Sequence, residues 1–147
     1  MTRGRAVLLA TLLVALTATA AANAVRPTSE TRLSGHVRGD SESVVRLSVA
    51  YSKDFDPKVA KRFRFKKINA TCNGEAQRIS IKLTGRVPFD KDGAFKRTFS
   101  GSGKDKVKIE GAFNNRGTRV IGVVSAPQIT VDGIGVCKVA PSGFKVS

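Results

Sequence analysis

The chain has 147 residues, with 26 Lys and Arg against 11 Asp and Glu, a formal net charge of +15. That length holds one domain with a real core, and an apolar content of 41% is too high for a wholly disordered tail. One His and two Cys exclude a zinc finger or a His/Cys-rich metal centre, and the charge favours anionic partners.

Residues 1–24 read as a secretory signal peptide. Arg3 and Arg5 supply a positive start, and Ala6 to Leu16 is an apolar run broken only by Thr11. Ala22-Asn23-Ala24 then fits the small-x-small cleavage pattern. The run is shorter than the ~20 residues of a membrane span, and no later stretch approaches one. Cleavage after Ala24 would leave 123 residues, with 24 cations against 11 acids and a formal charge of +13. Residues 25–32 are polar and expected to form a loose arm, with a domain over 33–147.

From Leu33 onward, apolar residues recur with period two, the pattern of half-buried strands. Val45, Leu47, Val49 and Tyr51 share one face, as do Ile79, Ile81, Leu83 and Val87. Val107, Ile109 and Phe113 repeat the pattern, followed by Val120 and Val124, by Ile129 and Val131, and by Phe144 and Val146. Turn signals separate these runs at Gly39-Asp40, Asp56-Pro57, Asn73-Gly74, Asp92-Gly93, Gly101 to Gly103, Asn115 to Gly117, Asp132-Gly133 and Ser142-Gly143. The expectation is an all-β domain, a single antiparallel β-sandwich or barrel of about seven to nine short strands. Val45, Leu47, Val49, Phe63, Phe65, Ile79, Ile81, Leu83, Ile109, Phe113 and Val124 are its expected core. Glycines in the runs around Gly111 and Gly122 suggest close backbone approach.

Lys58 to Lys67 admits two readings. Asp56-Pro57 could cap a helix. Phe63-Arg64-Phe65-Lys66, however, alternates as a strand does, and the strand is preferred. The segment holds six cations in ten residues: Lys58, Lys61, Arg62, Arg64, Lys66 and Lys67. As a strand it sets Arg62, Arg64 and Lys66 in a ladder on one face, a candidate anion-binding strip. Arg46, Arg78, Lys82, Lys96, Lys106, Lys108 and other cations read as scattered, which argues for general surface charge.

Cys72 and Cys137 in an exported chain point to one disulfide, since neither a Cys-x-x-C arrangement nor a partner base suggests a reactive thiol. His36 lies near Ser34 and Asp40, but residues two apart on a strand share a face and do not build a triad. Asp90-x-Asp92-Gly93 lacks the further ligands of a calcium loop. Thr98 to Lys104 is a Gly/Ser turn and not a phosphate loop. Asn69-Ala70-Thr71 is a glycosylation sequon. No catalytic residue, metal site or cofactor is expected.

The order of these features, with Gly35-His36-Val37, Phe63-x-Phe65 leading to Cys72-Asn73-Gly74, Gly111-x-Phe113 and Cys137 with Ser142-Gly143-x-x-Val146, resembles small secreted bacterial β-rich domains with a two-cysteine frame. Those domains carry a tighter Cys-x-Ser-Gly near the end, where Lys138 to Pro141 intervene here. The resemblance implies a fold type and export, and no activity to transfer. The leading expectation is a secreted, non-enzymatic binding or structural module with nonspecific affinity for anionic polymers or envelope surfaces, and no specific nucleic acid. A secreted inhibitor or adaptor is the alternative, with a hydrolase of unrecognised site behind it.

Overall fold

A computed structural model describes residues 30–52, 57–114 and 118–147. The expected signal peptide, the first residues of the expected arm, Asp54, Asp56 and Asn115 to Gly117 lie outside the described residues. Eight strands follow one another: β1 (Glu30–Val37), β2 (Asp40–Tyr51), β3 (Pro57–Cys72), β4 (Glu75–Pro88), β5 (Ala94–Ser100), β6 (Lys106–Phe113), β7 (Val120–Val131) and β8 (Gly135–Val146). No helix is present among the described residues, so none is long and apolar enough to cross a membrane.

The strands form one antiparallel sheet in the order β4-β3-β2-β1-β8-β7-β6-β5. Two meanders, β1 to β4 and β5 to β8, meet where β1 pairs with β8. A second pairing, β3 with β8, closes β1, β2, β3 and β8 into a small barrel. The remaining strands extend from it, and β4 and β5 are the free edges of the sheet. Of sandwich and barrel, the chain builds the barrel.

The strand count matches the sequence reading, but the strands are not short. β3 runs 16 residues and β4 runs 14. Bulges explain the length, because an extra residue bends a strand without ending it. Lys61 is skipped in the pairing of β3 with both β2 and β4. Lys66 and Lys67 together oppose Ser80, and Lys67 takes a left-handed conformation with φ 54°. The expected turn at Ser142-Gly143 is instead inside β8, where Ser142 pairs with Val124 and Gly143 with Val123. β1 begins at Glu30, within the expected arm, because Glu30 already pairs with Ala50.

All eleven expected core residues are buried. Phe65 packs edge-on against Phe144, ring centroids 5.4 Å apart. A second cluster links Phe63, Phe89, Phe95, Phe99 and Phe113 through centroid distances of 4.8 to 6.2 Å. These offset and edge-to-face contacts add to area burial. Gly111 and Gly122 are direct cross-strand partners. A methyl group on Gly122 would stand 2.5 Å from the Phe144 ring, and one on Gly111 2.9 Å from the Phe95 ring. Each glycine therefore makes room for a core phenylalanine, and each also lets the facing backbone come close, the approach its place in the strand suggested.

Cys72 and Cys137 are directly paired across β3 and β8 and joined by a disulfide, with Cα atoms 4.0 Å apart. β3 and β8 pair at only two positions, this one and Thr71 with Lys138. The disulfide thus sits on the seam that closes the barrel. Next to it, Asn73 donates through Nδ2 to the Ile134 carbonyl.

Candidate anion-binding face

Alternation along β3 turns Phe63 and Phe65 into the core and Arg62, Arg64 and Lys66 outward. The segment Lys58 to Lys67 is strand, and the helical alternative does not occur. The six cations then divide. Lys61, at its bulge, faces Glu30 across 3.6 Å. Lys67 sits at the second bulge, where its carbonyl accepts a hydrogen bond from Arg78 at 2.6 Å. Lys58 lies exposed at the start of the strand, and its carbonyl accepts the amide of Phe89. Lys66 is exposed opposite Val44.

Arg62 and Arg64 gain neighbours from other strands. The register aligns Arg32, Ser48, Arg62 and Thr84 in one row across β1 to β4. The next row aligns Ser34, Arg46, Arg64 and Lys82. Five exposed cations, Arg32, Arg46, Arg62, Arg64 and Lys82, therefore share one outer face. They line a depression of 320 Å³ together with Ser34 and Ser48. Neither row contains a carboxylate. Three of these cations, which the sequence alone left among the scattered charges or unremarked, belong to the site: Arg32, Arg46 and Lys82.

The acids engage elsewhere. Asp40 holds Arg78 at 3.1 Å, with Glu42 at 3.7 Å from the same guanidinium. Glu110 faces Lys96 at 3.8 Å on β6 and β5. Asp105 accepts from the amide and hydroxyl of Thr130. Directly opposed cross-strand side chains have Cβ atoms about 4.5–5.5 Å apart, and like charges so placed destabilise a sheet. Arg46, Arg64 and Lys82 stand in that relation, with no counter-charge in their row.

The other sequence candidates have local partners. His36 Nδ1 donates to the Ser43 carbonyl rather than to a carboxylate. Ser43 is fully buried, accepts the Val37 amide and donates to the Asp40 carbonyl, so this group shapes the β1–β2 hairpin. Asp90 accepts the amides of Asp92 and Ala94 and folds the β4–β5 connection. The Gly101 to Gly103 segment turns β5 into β6, with the Gly101 amide on the Asp105 carbonyl. Asn69 is exposed on β3. Among the described residues, no three His, Cys, Asp or Glu side chains gather to hold a metal ion.

No family model matches the sequence, and neither the curated proteins nor the solved structures yield a match.

Proposed function

We propose that this chain is an exported, non-enzymatic binding or structural module that attaches to anionic polymers or an anionic envelope surface through the outer face of β1 to β4. One observation carries the reading. Five cations from four strands share a face without a single carboxylate in their rows. Folding alone has no use for that arrangement, since the opposed pairs cost stability. Export rests on the leader-like first 24 residues. The disulfide suits an oxidising compartment. The two rows carry no aromatic side chain for base stacking, so the face supports backbone charge recognition and no base-specific binding.

Binding to polyphosphate and to vesicles rich in anionic lipid, followed across a salt series, tests the reading. Affinity should be measurable at low salt and fall steeply as salt rises. Arg46→Gln with Arg64→Gln should flatten the salt slope by about one unit per lost contact, while Lys108→Gln on β6 leaves it unchanged. Absence of binding at low salt ends the proposal.

A protein-directed module is a second reading, favoured by the free edges of β4 and β5. An added strand could pair there. Capture of a partner that survives high salt would favour it over the first.

A further inference from the structure

Ser48 occupies an outward register position on β2, between Arg32 of β1 and Arg62 of β3. Such a position is normally exposed in a strand with one solvated face. Ser48 nevertheless retains only 7% of its surface, and it and Ser43 are the buried polar residues among those described. Something on that face covers it. Its two direct cross-strand neighbours are Arg32 and Arg62, about 5 Å away by Cβ, and Arg46 lies two residues along the strand at about 7 Å. All three line the same depression as Ser48, with Arg64 and Lys82 beyond them. The serine thus lines one depression with three arginines, two of them its direct cross-strand neighbours.

From this we infer that Arg32, Arg46, Arg62 and Ser48 form a discrete seat for one tetrahedral oxyanion, a phosphate or sulfate group. The seat rests on the anionic-partner reading above and sharpens it, from diffuse attraction to a site for one chemical group. Geometry selects the group. A guanidinium fork satisfies the two oxygens of a planar carboxylate by itself. Three forks from three strands, with a hydroxyl that can also donate, need an acceptor with three or four oxygens spread in space. Phosphate and sulfate supply them. Arg64 and Lys82, one row away, would meet the next charge of a polymer or a neighbouring headgroup.

Competition experiments test the seat with the full mature chain and labelled polyphosphate. Sodium sulfate and inorganic phosphate should displace the polymer at concentrations where sodium chloride of equal ionic strength does not. Polyglutamate of matched charge should compete about tenfold less well. Ser48→Val and Arg62→Gln should each remove most of the sulfate advantage, and Lys108→Gln should not. Circular dichroism and thermal melting identify any variant that misfolds. In that case Arg32→Gln, on a different strand, replaces it.

Sulfate no more effective than chloride would overturn the seat and leave the salt-sensitive polymer reading standing. Polyglutamate competing as well as sulfate would overturn the tetrahedral assignment. Sulfate binding without polymer binding at low salt would keep the seat and end the broader proposal. Polyphosphate and phosphatidylglycerol vesicles, run in parallel, distinguish a polymeric from a lipid source of the phosphate.

Discussion

Arg64 illustrates how much a single position depends on its surroundings. Its outward orientation follows from the alternation Phe63-Arg64-Phe65, which is legible in the sequence. Its neighbours Arg46 and Lys82 are not. Each stands on an adjacent strand, 18 residues away along the chain, on the far side of a connection. Tyr51 offers a cleaner residue-level test. It ends β2, packs against the core, and burial raises its phenol above the ordinary value. The folded state therefore favours the neutral phenol. That contribution is fully present below the unfolded pKa near 10 and is lost as pH rises from there through the folded value. Denaturant midpoints should fall more steeply for the wild type than for Tyr51→Phe above pH ~10. Because Tyr51 is the only tyrosine, alkaline absorbance titration reads it alone. Parallel pH profiles for the two proteins would contradict the burial argument.

At the level of strands, the disulfide makes the sharpest prediction. β3 and β8 share two residue pairs, and Cys72 with Cys137 is one of them. Replacing both cysteines with Ala should lower stability by up to ~4 kcal/mol, the chain-entropy figure for a separation of 65 residues. Hydrogen exchange should accelerate first at Thr71 and Lys138. Two titratable thiols in the unreduced protein would refute the bond altogether. The pairing was legible because two cysteines allow one intramolecular partnership. Register was harder. A count back from the Asn73-Gly74 turn, which closes with Cys72 opposite Glu75, sets Arg64 against Leu83 and so on the wrong face. The bulge at Lys66 and Lys67 shifts the pairing by one residue and brings Lys82 beside Arg64. A left-handed lysine leaves no mark in the sequence, so the basic face stayed hidden while its parts were visible. The expected turn at Ser142-Gly143 has a similar cause, since glycine within a bent strand looks like glycine in a turn, and β7 reads as two pieces because the bulges around Ala126 and Pro127 break its alternation.

For the whole molecule, charge and closure decide behaviour. A formal charge of +15 repels itself in the folded state, most strongly where cations stand opposed. Raising salt from about 0.01 to 0.15 M shortens the screening length from about 30 to 8 Å and should raise the melting temperature by ~3–6 °C. The same change should weaken polymer binding. A melting temperature that holds flat or falls would show that the opposed cations carry no strain. Fold class and core were legible at this scale because alternation and turn residues act locally, one strand at a time. Closure was not, because it depends on β1 meeting β8 and β3 meeting β8 across most of the chain.

The Cys72–Cys137 link has one more consequence. Five of the connections between strands lie inside the span it closes, from Asn73-Gly74 to the turn before Gly135. A protease that nicks any one of those loops would leave both products tied together. Only cuts in the two connections that precede β3 would release a piece. Surface damage over most of the length of this chain would therefore not be dissociation.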